Sequence, residues 1–260
     1  YGFKILLRKI GILKQKKILY LSCHSALEYD EVTLLRELGH YVFSPGDFVE
    51  NKHPGKPWLR PFPKQSRREQ IDAKYLFSYG KKDQQNKYAL KKSFVDRFDI
   101  VIIMHHPKFI IDNWSVIKHK SVIWRTIGQS THLIEKKLAK FRHQGLKVIR
   151  YSPHERNLHN FIGYDEIIRF YKNPKEFKGW RNTKNQILTI AQNMEERLDV
   201  CHFDIYKKVV KGIPAILYGS GNNDVLNSEL TYKQIKLALK DFRCYLYTGT
   251  YPASYTLSFI

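Results

Sequence analysis

The chain has 260 residues, 43% hydrophobic and 14% aromatic, enough for one large α/β domain or two ordinary ones, which excludes global disorder. Lys and Arg outnumber Asp and Glu by 45 to 24, a formal charge of +21, and such a field attracts nucleic acid, acidic lipid headgroups or phosphorylated small molecules. Cys23, Cys201 and Cys244 cannot build a disulfide framework and none pair at Cys-x-x-Cys spacing, which fits a reducing cytoplasm, and no apolar run approaches the ~20 residues of a spanning helix.

Residues 1–17 form a basic leader with six basic residues and no acid. Ile5, Leu6, Leu7, Ile10, Ile12 and Leu13 interrupt the charges, a pattern suited to lying on an anionic membrane surface at the inner face or to packing on its own domain. Ile18–Ser22 reads as a buried strand. Ala26–Leu38 has helical spacing at Leu27, Val32, Leu35 and Leu38, and Gly39 stops it. Tyr41–Ser44 is a second strand. A basic insertion follows, about 46–93, too long for an ordinary connection and read as an acceptor-side lobe. Within it Asn51–Arg68 carries six basic residues and no acid, and Trp58, Phe62 and Tyr75 offer rings that stack on sugars or bases.

Asp99–Met104 is apolar on both faces, as central parallel strands require. Ser121–Arg125 and Lys147–Tyr151 are further strands around a helix, His132–His143, and Glu166–Phe170 closes the sheet of a first domain spanning 18–172. The polar stretch 173–186, with Pro174 and Gly179, is a linker. The alternation restarts over 187–260: strand Gln186–Ala191, helix Asp199–Lys211, strand Pro214–Tyr218, helix Thr231–Leu239, strand Cys244–Tyr247. Two blocks of alternating strand and helix predict an α/β protein of two Rossmann-like domains with parallel sheets facing a cleft. Tyr1 in place of a start Met, and a helix opening at Ser254–Ile260 with no stop signal, give the expectation that both ends are cut short and the second domain is incomplete.

Ligands of such sheets bind beyond the carboxyl ends of the strands. The candidate turns are therefore Cys23–His24–Ser25, His105–His106–Pro107, Thr126–Ile127–Gly128–Gln129, Ser152–Pro153–His154, Gln192–Asn193, Gly219–Ser220–Gly221–Asn222 and Thr248–Gly249–Thr250–Tyr251. Gly, Ser, Thr, Asn and His bring backbone N–H groups or neutral donors up to phosphates and sugar hydroxyls. There is no Gly-x-x-x-x-Gly-Lys-[Ser/Thr] loop and no Gly-x-Gly-x-x-Gly after the first strand, against an ordinary NTPase or NAD site. His-Glu-x-x-His is missing, and so is the Asp-x-Asp pair that holds a metal on a sugar diphosphate. A metal-free phosphate site of Arg, Lys and helix N-termini remains, with no cofactor beyond a donor substrate.

The second block resembles a family. ILTIAQNMEER (187–197) occupies the place of a strand and loop, AILYGSGN (215–222) that of a strand and Gly-rich turn, and CYLYTGTYPASYTLSFI (244–260) leads toward an E-x7-E motif. The layout is similar to GT-B glycosyltransferases, specifically family 4. The resemblance puts Gln192 where the family has Arg, Arg197 where it has Lys, and Ala253 where it has the first Glu. It implies a nucleoside diphosphate sugar as donor, metal-independent transfer with retention, and a glycan, lipid-linked or small-molecule acceptor. The implied donor-binding residues are Gln192, Arg197, Gly219, Ser220, Ser254, Tyr255 and Thr256. His106 would stand beside the transferred sugar as the catalytic residue, with His24, Ser25 and Gln129 on the acceptor side. The departures at Gln192 and Ala253 keep a catalytically inactive sugar-binding relative open. The charge keeps a nucleic-acid-binding protein open, although no specific nucleic-acid motif is present.

Overall fold

A computed structural model describes residues 14–22, 25–44, 66–79, 89–128, 130–222 and 229–249. They fall into two compact units, and the chain passes from the first to the second between Tyr171 and Lys172.

The first unit is a six-stranded, all-parallel sheet in the order β2-β1-β3-β4-β5-β6. Its strands are β1 (Lys17–Leu21), β2 (Tyr41–Phe43), β3 (Ile100–Met104), β4 (Ser121–Arg125), β5 (Lys147–Arg150) and the short edge strand β6 (Glu166–Ile167). Helix α1 (Ser25–Glu37) joins β1 to β2, while α2 (Arg67–Tyr79) and α3 (Lys92–Val95) lie between β2 and β3. Helices α4 (Pro107–Ile117) and α5 (His132–His143) make the next two crossovers. β3 is buried over Val101–Met104, as its two-faced apolar pattern predicts. The core joins Leu19, Val101, Ile103, Val122, Trp124 and Val148 of the strands to Phe94, Ile110, Trp114, Leu138 and Phe141 of the helices. Each such side chain contributes about 1.5–3 kcal/mol by leaving water.

Helix α4 is absent from the sequence reading, although a parallel β3–β4 pair demands a crossover there. Pro107 starts it at N1, where the missing N–H costs nothing. Helix α2 likewise lies in the stretch read only as a basic insertion. It is tied to the segment before β3 by an ion pair from Arg97 to Asp72 (2.5 Å) and to α1 by one from Arg36 to Glu69.

The second unit holds a three-stranded parallel sheet in the order β8-β7-β9, from β7 (Lys184–Ile190), β8 (Ala215–Tyr218) and β9 (Phe242–Tyr245). The helix expected over Asp199–Lys211 is two pieces, α6 (Leu198–Cys201) and α7 (Phe203–Val210). His202 separates them in a left-handed conformation, φ 49°, which stops the hydrogen-bond ladder. Helix α8 (Tyr232–Asp241) starts with the reciprocal Thr231–Gln234 capping box and runs directly into β9. That strand therefore begins at Phe242, ahead of the expected Cys244. Both sheets are parallel and helix-connected, so the α/β class with two Rossmann-like sheets stands.

Candidate functional site

In the first unit the chain runs from β1 outward to β2, then returns past β1 to β3. The strand order reverses between β1 and β3, and a crevice outside the carboxyl ends of these two strands is the standard ligand position. Leu21, the last residue of β1, pairs with Ile103 of β3. Two sets of predicted residues follow these neighbouring strands. His24 lies outside the described residues, and Ser25 opens α1. After β3 come His105 and His106.

His105 adopts φ 59°, a costly conformation for a residue with a Cβ. Its backbone is held on both sides: its N–H donates to the Arg125 carbonyl at 2.8 Å, and its carbonyl accepts from the Trp124 indole at 3.0 Å. This bend delivers His106 to the N-cap of α4, exposed, with its ring 5.3 Å from that of Phe109. No His106 side-chain hydrogen bond caps the helix. An exposed imidazole at a helix N-terminus can exchange hydrogen bonds with a hydroxyl.

The loops after β4 and β5 are tied together by a buried ionic cluster that sequence reasoning missed. Arg150, 1% exposed, makes a bidentate contact to Glu135 at 2.7 and 2.8 Å and reaches Glu155 at 3.4 Å. It also donates twice to the Gly163 carbonyl. Glu135 accepts from Ser130 Oγ (2.5 Å) and Ile162 N–H (3.1 Å). Glu155 Oε1 accepts from Thr126 Oγ1 (2.8 Å) and the N–H groups of Tyr151 and Ser152. Burial pushes the Glu135 carboxyl up. The bonds from Arg150 and Ser130, the Arg150 charge and the Ile162 amide outweigh it and hold the group below its ordinary value. The legible signal was Ser152-x-x-Glu155, a capping-box spacing that the structure closes around Pro153–Asn157. Thr126 thus belongs to this cluster, and Gly128 follows it, while Gln129 lies outside the described residues.

A second buried arginine, Arg125, ends β4. It pairs with Glu31 at 3.3 Å, donates to the Arg150 carbonyl at 3.3 Å and stacks over Phe170 at 4.6 Å. Its charge is used internally.

In the second unit the order reverses between β7 and β9. The loop after β7 is locked to the turn after β8. Asn193 N–H donates to Ser220 O at 2.8 Å. Asn222, 1% exposed, donates to the carbonyls of Ala191 and Gly219 at 2.9 Å each and accepts from Met194 N–H at 2.8 Å. Gly219 is required here: at φ 140°, a Cβ would stand 1.9 Å from the Ala191 carbonyl oxygen and 3.2 Å from Gln192 N.

The structure therefore brings Gln192, Gly219 and Ser220 together. Arg197 follows one turn later, its N–H bonded to Asn193 O at 3.1 Å, and its side chain is exposed. Gly219–Asn222 is a turn, and the next described helix is α8. Ser254, Tyr255 and Thr256 lie outside the described residues. Thr248, after β9, is tied back to the Cys201 carbonyl at 2.6 Å. Tyr206 of α7 has its phenol pushed up by burial, partly offset by a hydrogen bond with Thr189.

Among the described residues no group of three His, Cys, Asp or Glu side chains is arranged to hold a metal ion, and no helix is long and apolar enough to cross a membrane. No protein-family model matches the chain, and no curated protein matches it. Among solved structures, the SsfS6 glycosyltransferase of Streptomyces sp. SF2575 is similar to this chain at 15% identity, over 87% of this chain and 75% of that one, with a TM-score of 0.43.

Proposed function

We propose that this chain transfers a sugar from a nucleoside diphosphate sugar to a hydroxyl of a glycan, lipid-linked or small-molecule acceptor, without a metal and with retention of anomeric configuration. The observation that carries the reading is the joined pair of loops after β7 and β8. They rest on Gly219 and Asn222 and carry Gln192, Ser220 and the exposed Arg197 at the carboxyl edge of a parallel sheet. Backbone amides of such turns, with one permanent cation, stabilise the charge that grows on a leaving diphosphate. In this reading Ser254, Tyr255 and Thr256 complete the donor site. His106 exchanges hydrogen bonds with the transferred sugar, and His24, Ser25 and Gln129 meet the acceptor. The metal-free reading is supported by the sequence, which offers cations and turns but no Asp-x-Asp pair.

The test is titration of the chain with nucleoside diphosphates in the presence of a chelator. Arg197→Ala is expected to weaken binding by about 1–3 kcal/mol, the scale of a lost charged hydrogen bond. His106→Ala is expected to leave that affinity intact and to remove sugar transfer and donor hydrolysis. Unchanged affinity in a folded Arg197→Ala protein would move the phosphate site to another loop.

A further inference from the structure

Helices α4 and α5 lie side by side on one face of the first sheet. The crossovers from β3 to β4 and from β4 to β5 run in the same direction, and right-handed connections then place both helices on the same side, pointing the same way. The Trp114 ring of α4 meets the Phe141 ring of α5 at 5.0 Å, and the Trp114 indole donates to Gln144. Ile110, Trp114 and Ile117 of α4 and Glu135, Leu138 and Phe141 of α5 are turned inward and buried. The outward residues follow from the helical period. In α4, Ile111 and Lys118 stand two turns apart. In α5, Leu133, Lys136, Lys137 and Lys140 follow at steps of three, one and three, so each set keeps to one side of its helix. Lys118 is the C-cap of α4 and keeps right-handed helical backbone (φ −57°, ψ −20°), and the others lie within the helices, so the register holds for all six.

All six are exposed, Ile111 at 38% and Leu133 at 56%. None of the four lysines is in an ion pair among the described residues. Lys140 leans over the Phe141 ring at 4.9 Å and stays exposed. The acids of these two helices are occupied, Asp112 by Lys108 at 2.7 Å and Glu135 by the buried Arg150. Two neighbouring helices thus present four lysines and two aliphatics without a free carboxylate of their own. Lys136 and Lys140 stand one turn apart, a like-charge spacing that destabilises a helix standing alone and that an anionic partner relieves.

The charge calls for an anionic partner, and the aliphatics narrow its kind. A nucleic acid would use the lysines and leave Ile111 and Leu133 without contact, and neither helix exposes an aromatic ring on which bases could stack. In an anionic bilayer the aliphatics enter the headgroup boundary, the lysine stems lie along it, and the ammonium groups stay at the level of the lipid charges. We infer that the outer surface of α4 and α5, with Ile111 and Leu133 set among Lys118, Lys136, Lys137 and Lys140, is a docking face for an anionic lipid bilayer. The attachment is weak and reversible, since two aliphatics and four charges fall short of a stable anchor. Both helices begin at the carboxyl edge of the sheet, so the docked surface ends beside His106, the N-cap of α4. The inference does not depend on the sugar-transfer reading, because vesicle binding is measured without donor or acceptor.

The experiment is co-sedimentation of the full chain with vesicles of phosphatidylcholine alone or with roughly 30% phosphatidylserine, at low and near-physiological salt (roughly 0.02 and 0.15 M, a Debye length change from above 20 Å to about 8 Å). Unaltered protein is expected to pellet with the anionic vesicles and to release as salt rises. The triple variant Lys136→Gln, Lys137→Gln, Lys140→Gln removes the charge and keeps helix propensity. It is expected to bind at least tenfold more weakly, with unchanged circular dichroism. The double variant Ile111→Ser, Leu133→Ser is expected to bind several-fold more weakly. Lys207→Gln, Lys208→Gln, Lys211→Gln removes the same charge from exposed positions of the second unit and is expected to bind nearly as the unaltered chain does. The inference fails if the folded α5 lysine variant keeps its vesicle affinity, which would assign binding to the basic leader, or if the second-unit variant loses as much, which would make the attraction a property of net charge. It fails equally if binding ignores lipid charge, or if a single-stranded or duplex RNA displaces the vesicles and the α5 lysine variant loses that RNA.

Discussion

Replacing Arg150 by alanine is expected to lower the free energy of unfolding by about 3–5 kcal/mol, the cost of stranding a buried carboxylate without its cation. Glu135 is fully buried and Glu155 is 2% exposed. With Arg150 gone, two carboxylates share a site with Ser130, Thr126 and backbone amides as the donors that remain. Urea unfolding followed by circular dichroism gives the number. A loss under about 1 kcal/mol would show that water enters and solvates the pair. The double replacement Arg150→Met with Glu135→Leu is expected to recover part of the loss, because removing both charges removes the desolvation penalty as well. The pH dependence has a defined sign. Glu135 has its folded pKa held below the ordinary value of 4.5, so its share of stability is present above that value and is lost as pH falls below it. Glu135→Gln should flatten that acid limb, and an unchanged limb would place the titration elsewhere.

The second large effect is expected at Gly219. Alanine there puts a methyl group 1.9 Å from the Ala191 carbonyl oxygen, and it demands φ 140° from a residue with a Cβ. The obstacle is backbone, held by Asn222, so it cannot rotate away. Strain and displacement together should cost about 3 kcal/mol. Relief requires the loop after β7 to separate from the turn after β8, which also moves Gln192 and Arg197. Gly219→Ala should therefore lose nucleoside diphosphate binding more completely than Arg197→Ala, under conditions where circular dichroism shows the sheet intact. Stability loss without loss of binding would make this contact a packing feature and would remove the observation on which the donor site rests. Asn222→Ala is the companion: it unties the same loops by deleting hydrogen bonds, without a clash.

Much of the fold can be read from residues whose reason for being is local. Ile100–Met104 is a strand because apolar residues on both faces suit the middle of a parallel sheet. His132–His143 starts on Thr131, whose hydroxyl accepts from Ile134 N–H at 3.3 Å, and it ends where Gly145 turns the chain at φ 98°. The sequence misses α2 and α4. The first sits in a stretch whose charge dominates its pattern, and the second starts on the His106–Pro107 step, which looks like a turn. Helix α7 is misjudged by the break at His202, since a left-handed residue without glycine has no sequence signature.

What the sequence alone determined about this protein is its class and its edges: two stretches of strand and helix alternation, and the turns that follow the strands. Those signals are short-range, because a residue's apolar neighbours and its caps lie within one or two turns of chain. What only the tertiary structure decided is which turns meet and which charges are occupied. Asn222 holds the loop after β7 from 31 residues away, and Arg125 meets Glu31 from 94 residues away. Arg125, Arg150 and Arg197 look alike in a sequence of excess positive charge. The first two are buried in ion pairs, and Arg197 is exposed at the carboxyl edge of the second sheet. That difference comes from burial: desolvation forces an internal cation to take an internal carboxylate, and burial is a property of the folded chain.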